Sequence, residues 1–146
     1  MKLSFGKSKL ESEKIILFVC VENAGRSQMA EGFFNKSAPE GYRAVSAGTK
    51  PVSQINPNVI DVIRQVGIDI SNQKSKEITE DMMRNSFTTV NMGCMDKESC
   101  PTLFLPNVID WNLEDPKDKP IEKVREIMDE VEQRVKELVA SLKTHQ

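Results

Sequence analysis

The stretch "ILFVCVENAGRSQMAEGFF", residues 16–34, decides how the chain is read. It starts as a continuous apolar run, meets a cysteine at position 20, loosens into small and polar residues, and reaches an arginine six positions later. Beyond that, Met29, Ala30, Phe33 and Phe34 fall at helical spacing. With the residues just before it, "KIILFV" (14–19) has the length of a buried strand, and "SQMAEGFFNKS" (27–37) opens on a serine, a favoured helix cap. A strand therefore feeds a short loop, and the loop feeds a helix.

The same alternation continues outward. "YRAVSAG" (42–48) reads as a second strand ended by glycine. "NPNVIDVIRQVG" (56–67) reads as a helix with Asn56 as cap, Pro57 in its first turn, Gly67 at its end and a buried stripe of Val59, Val62, Ile63 and Val66. "TEDMMRNS" (79–86) has the pattern of a short helix leading into the strand "FTTVNM" (87–92), and "NVIDWNL" (107–113) that of a fourth strand, with Trp111 assigned to the core. From 121 to 142, Ile121, Val124, Ile127, Met128, Val131, Val135, Leu138 and Leu142 keep the three-and-four spacing of a long amphipathic helix whose alternating charges face water. Strands alternating with helices imply an α/β fold, a parallel sheet covered on both faces, with ligands at the carboxyl ends of its strands. Cys20 has that address.

The loop "CVENAGRS" has the chemistry of an anion site. Its successive backbone N–H groups, from Val21, Glu22, Asn23, Ala24, Gly25 and Arg26, can converge into a nest at a helix N-terminus, which attracts a tetrahedral oxyanion. Gly25 frees the turn, Arg26 offers a planar fork for two oxygens, and Ser27 can donate to the sulfur. The same positive field favours thiolate over thiol at Cys20. The bland alternative makes Cys20 a core residue and Arg26 a solvated charge, but an arginine in a first helical turn opposes the macrodipole unless an anion is near.

Bulk properties narrow the class. The 146 residues are 38% hydrophobic and 29% charged with a net charge of −2, which suits one soluble domain and argues against nucleic-acid binding. "MKLSFGKSKLESEK" (1–14) has no apolar core of a signal peptide and no segment has the length of a membrane span, so a cytoplasmic protein with no membrane partner is expected. Three cysteines, Cys20, Cys94 and Cys100, do not form a static disulfide framework in a reducing compartment. The sole histidine, His145, is next to last, which argues against a Cys/His pair or a histidine metal cage. Cys94 and Cys100, in "VNMGCMDKESCP" (90–101), fit a redox pair better than a zinc half-site that lacks further ligands.

The loop together with "SAGT" (46–49), "NPNVIDVIRQVGIDIS" (56–71), "NMGC" (91–94) and "WNLEDP" (111–116) closely resembles the arsenate reductases built on the low-molecular-weight tyrosine phosphatase fold, from about residue 14 to 142. The resemblance implies a three-layer α/β domain, a four-stranded parallel sheet flanked by helices, over residues 14–146, and the polarity of residues 1–13 leads to the expectation of a flexible tail before it. It implies Cys20 as nucleophile, Asp115 as general acid with Glu114 the weaker candidate, and Cys94 and Cys100 as the second and third thiols of a relay reduced by thioredoxin. Residues 93–101 would have to move during that relay, and Gly93, Lys97, Glu98 and Ser99 suit a surface loop. A monomer acting on arsenate or a phosphate-like oxyanion is expected, with no required cofactor. Glu22 and Met95 depart from the common pattern.

Relatives that hold a potassium ion do so near the loop, and Asn23, Glu31, Ser46 and Asp69 fall at matching motif positions. The alternative has Asn23 stiffening the loop, Glu31 facing solvent, Ser46 ending a strand and Asp69 making a turn. Two rival functions remain. A tyrosine phosphatase would use the same loop and acid, but usually follows the acid's proline with aromatic residues where this chain has "DPKDKP" (115–120), and commonly carries a cysteine in the loop where this chain has Ala24 and Gly25. An oxyanion-binding sensor would need neither Cys94, Cys100 nor Asp115.

Overall fold

A computed structural model describes residues 13–93 and 107–144. The tail before Glu13, the cysteines Cys94 and Cys100 with their intervening residues, and His145 lie outside the described residues. The elements in chain order are β1 (Lys14–Cys20), α1 (Arg26–Ser37), β2 (Tyr42–Gly48), α2 (Pro57–Gln65), α3 (Glu80–Asn85), β3 (Ser86–Asn91), β4 (Val108–Asp110) and α4 (Ile121–Lys143). The four strands form one sheet in the order β2-β1-β3-β4, and every neighbouring pair is parallel.

Strand β1 lies inside the sheet and is covered on both faces, which is why its sequence is apolar without alternation. Ile16, Phe18 and Cys20 point into the main core, where α1 contributes Met29, Ala30, Phe33 and Phe34, α2 contributes Val59, Val62 and Ile63, and α4 contributes Val124, Ile127, Val131 and Val135. Leu17 and Val19 point the other way, against Ala47 with Val45, Ile78, Met82 and Met83 around them. The Phe18 ring packs against Phe34 at 6.2 Å and Trp111 at 5.7 Å between centroids, so Trp111 belongs to the core as expected. Removing that ring is expected to cost about 3–5 kcal/mol.

Most element boundaries follow local chemistry. Asn56 caps α2 through its side-chain oxygen, which accepts from the Asn58 N–H at 2.9 Å, and Thr79 caps α3 by accepting from the Met82 N–H at 3.1 Å. Three details differ from expectation. Helix α1 begins at Arg26, with Gly25 before it, because the Ser27 hydroxyl is turned toward Cys20 rather than toward the helix amides. Val66 is exposed, since α2 ends at Gln65 and the chain swings into Gly67 at φ 88°. Strand β4 holds only Val108–Asp110; the Trp111 N–H adds one more bond to β3, to the Asn91 carbonyl at 2.9 Å, and the side chains of Trp111 and Leu113 are apolar because they enter the core.

The strand order decides where a ligand can sit. After β1 the chain builds β2 on one side of it and β3 on the other, which opens a crevice at the carboxyl ends of β1 and β3. Cys20 ends β1 there, and Met92 and Gly93 follow β3.

Candidate active site

The loop after Cys20 is held from outside by its carbonyls. The oxygens of Cys20, Val21, Glu22 and Ala24 accept from the N–H groups of Thr49 (3.3 Å), Lys50 (2.8 Å), Val52 (3.2 Å) and Asn56 (2.9 Å), and the Ser75 hydroxyl also donates to the Glu22 oxygen. In a trans peptide the N–H opposes the C=O, so the N–H groups of Val21, Glu22, Asn23 and Gly25 are directed away from these outer partners. A nest of donors above the start of α1 is the result. Asn23 makes the turn at φ 51°, a left-handed conformation that asparagine tolerates.

Asn23 also orders the interior of the loop. Its side-chain N–H donates to the Ser27 hydroxyl at 2.7 Å, and its side-chain oxygen accepts from the Gln28 amide and from the Lys76 backbone N–H, both at 2.9 Å. Ser27 lies 2.9 Å from the Cys20 sulfur. Because the hydroxyl oxygen already accepts from Asn23, its own proton is free to point at the sulfur. Cys20 is a free thiol, 2% exposed, at the floor of the cleft.

Arg26 is buried and anchored by one nitrogen. Its Nη1 donates to the carbonyls of Met92 (3.0 Å) and Leu113 (3.1 Å), which fixes the guanidinium plane between the ends of β3 and the segment after β4. Nη2 lies 3.5 Å from Asp115. Nε is buried with no partner among the described residues, a state that costs about 1–3 kcal/mol unless something accepts from it. The Nε and Nη2 edge is therefore the one offered to a ligand. Gly93 lets the guanidinium lie there, because a Cβ at that position would collide with Arg26.

The far wall carries the acid. Asp115 is half exposed and faces Arg26, while Glu114 turns away to pair with Lys119 (3.3 Å) and Lys123 (3.1 Å). Those two ammonium groups hold the Glu114 carboxyl below the usual range, so it stays an anion and is a poor proton donor. Pro116 comes so near the loop that a Cβ on Gly25 would stand 2.8 Å from its ring. Across the mouth, Lys117 reaches Glu22 at 3.0 Å, and this carboxylate raises the lysine's pKa. Glu22 thus enters the loop with its charge compensated. The cleft measures about 420 Å³, and no aromatic side chain lines it among the described residues.

The fold brings together Cys20, Arg26, Ser27 and Asp115, all singled out from sequence. Cys94 and Cys100 lie outside the described residues. Of the four oxygen donors expected around an ion, Asn23, Glu31 and Ser46 converge, but on the side chain and N–H of Lys76. Asp69 is not among them: its carboxylate accepts from the Ser71 N–H at 2.9 Å, as a turn would, and sits 3.9 Å from Arg64. Sequence reading missed Lys76 and Gln28. Gln28 carries a signal in retrospect, a polar residue on the apolar side of α1 that is fully buried and bonded to Asn23, Lys74 and Gln73.

The family model of low molecular weight phosphotyrosine protein phosphatase matches residues 15–146. A putative arsenate reductase of Halobacterium salinarum is 35% identical over 126 residues, 83% of this chain and 87% of that protein. A solved arsenate reductase in a phosphate-binding state superposes with a TM-score of 0.78 at 32% identity, covering 88% of this chain and 98% of that one. A thioredoxin-dependent arsenate reductase of Corynebacterium glutamicum gives 0.76 at 31% identity, covering 98% and 74% respectively.

Proposed function

Because the chain belongs to the low-molecular-weight phosphotyrosine protein phosphatase family, we propose that it works there as a thioredoxin-coupled arsenate reductase. The observation that carries the oxyanion part is the Arg26 edge, a buried Nε with no partner beside Nη2, in the same cleft as the Cys20 thiol. The relatives named as arsenate reductases carry the choice of oxyanion.

In this mechanism the oxyanion sits on the loop N–H groups and the Arg26 fork, and Ser27 donates to the sulfur. Cys20 attacks arsenic while Asp115 protonates the departing oxygen, which leaves as water and gives a thiol-arsenate adduct. Cys94 then attacks the Cys20 sulfur. The sulfur–arsenic bond breaks with its electron pair going to arsenic, so arsenite leaves and a Cys20–Cys94 disulfide remains. Cys100 attacks Cys94, frees Cys20 and closes a Cys94–Cys100 disulfide, which the dithiol of thioredoxin reduces. Phosphate-ester hydrolysis is a slow side activity of the same loop and acid. The cleft supports a small oxyanion over an aryl ester, since it offers a ring no aromatic partner among the described residues.

The test is turnover with arsenate, thioredoxin and thioredoxin reductase. Arsenate-dependent oxidation of thioredoxin is expected, Cys100→Ser is expected to stop after one turnover as a Cys20–Cys94 disulfide, and Cys94→Ser to retain only ester hydrolysis. Arsenate reduction by Cys94→Ser at the parental rate would overturn the relay. Aryl phosphate turnover without any arsenate reduction by the parent would make the protein a phosphatase.

A further inference from the structure

We propose that Lys76 is a built-in cation for the anion loop: its ammonium stands among the oxygens of Glu31 and Ser46, and the loop keeps its shape without a bound potassium ion. Lys76 Nζ lies 3.6 Å from Glu31 Oε1 and 3.4 Å from the Ser46 hydroxyl, and it donates to the Lys74 carbonyl at 2.9 Å. Ser46 in turn donates to the same Glu31 oxygen at 2.6 Å. Glu31 is 15% exposed at its side chain and Ser46 is fully buried. A carboxylate so placed needs a compensating charge, and Lys76 is the cation that pairs with it among the described residues.

The backbone fastens Lys76 in this position. Its carbonyl accepts from the Gly48 N–H at 2.8 Å, and the Ile78 N–H donates to the Gly48 carbonyl at 3.0 Å, so residues 76–78 run strand-like along the end of β2. The third oxygen donor of the expected ion group, Asn23 Oδ1, is taken by the Lys76 N–H. The fourth, Asp69, is engaged with Ser71 and Arg64. An ammonium group and a potassium ion have the same charge and closely similar size, and a second cation entering this group would be repelled by the first. The residues present therefore fit an ammonium and not an added ion.

Lys76 is a positioning residue. Its ammonium fastens the segment to Glu31 and Ser46, and the backbone N–H of the same residue, held in place by that anchor, reaches the nucleophile through Asn23 and Ser27, a chain of hydrogen bonds of 2.9, 2.7 and 2.9 Å that ends at the Cys20 sulfur. Its role does not depend on which oxyanion binds, and its test contains no arsenate, so failure here leaves the reductase reading standing and the reverse also holds.

The experiment compares the reduced full-length protein in potassium chloride and in tetramethylammonium chloride at equal ionic strength. Two readouts are taken, the melting temperature and the rate of Cys20 alkylation by iodoacetamide at fixed pH, followed by peptide mapping. The parent should give the same values in both salts. Lys76→Met in tetramethylammonium chloride should alkylate roughly 3- to 10-fold more slowly, the scale of coupling carried through a packed hydrogen-bond chain, and recover in potassium chloride. Glu31→Gln with Lys76→Met removes both charges and should show no response to potassium. A potassium-specific rise in the parent overturns the proposal, and that measurement needs no variant to fold. Lys76→Met alkylating at the parental rate, or slowed without recovery in potassium, also overturns it.

Discussion

Replacing Arg26 with lysine keeps the charge and removes the fork, which isolates what the guanidinium geometry contributes. In the parent, Nη1 is committed to the Met92 and Leu113 carbonyls, and the Nε and Nη2 edge is left to hold two oxygens of one anion. A lysine ammonium is a point charge on a flexible stem and cannot hold two wall carbonyls while presenting two coplanar donors. At least one charge-assisted hydrogen bond to the oxyanion is lost, about 1.5–3 kcal/mol. At 1.4 kcal/mol per decade this is roughly 10- to 150-fold weaker binding. The assay is protection of Cys20 from iodoacetamide by inorganic phosphate, read as the phosphate concentration giving half protection. Phosphate should also raise the melting temperature of the parent, because the anion satisfies the buried Nε donor. If Arg26→Lys is half-protected within about twofold of the parental concentration, where the expected shift is at least tenfold, the fork is not what holds the anion.

Three further outcomes are expected. Asp115→Asn keeps the shape facing Arg26 but has no proton to transfer, and should lower aryl phosphate hydrolysis by roughly 10²- to 10⁴-fold, whereas Glu114→Gln should leave it largely intact; the reverse ranking would move the acid to Glu114. Gly93→Ala drives a methyl group into the Arg26 guanidinium and should weaken phosphate protection of Cys20 at least as much as Arg26→Lys, while circular dichroism shows a retained fold; unchanged protection would mean that Arg26 does not need its observed position. Since Lys123 and Lys119 depress the Glu114 carboxyl, the stability this residue adds is present above the ordinary glutamate value and is lost as pH falls through its lowered folded value. The difference in melting temperature between parent and Glu114→Gln, small because all three groups are solvated, should therefore close on acidification, and a widening gap would contradict the pairing.

The sequence by itself determined the frame and the reactive loop. A doubly buried strand must be apolar throughout and the helices beside it must carry a stripe, so "KIILFV", the α2 stripe from Val59 to Ile63 and the long α4 pattern were legible as local periodicity. Cys20, Arg26 and Ser27 were legible because one strand–loop–helix unit contains them, and the resemblance reached Asp115 through "EDP". Only the tertiary structure decided what the side chains across the crevice do. That Arg26 spends Nη1 on Met92 and Leu113 and leaves Nε bare depends on segments 66 and 87 residues away. That Glu114 is tied to α4 and Asp115 is not depends on where that helix starts. Asp69 against Lys76 is the clearest case. Both follow the same helix in sequence, and the resemblance offered only the carboxylate, beside a plain turn reading, yet the pairing of residues 76–78 with the end of β2 delivers the ammonium to Glu31 and Ser46. Periodicity records which face of an element is covered, whereas the partner of a polar group is fixed by which distant segment the fold lays beside it.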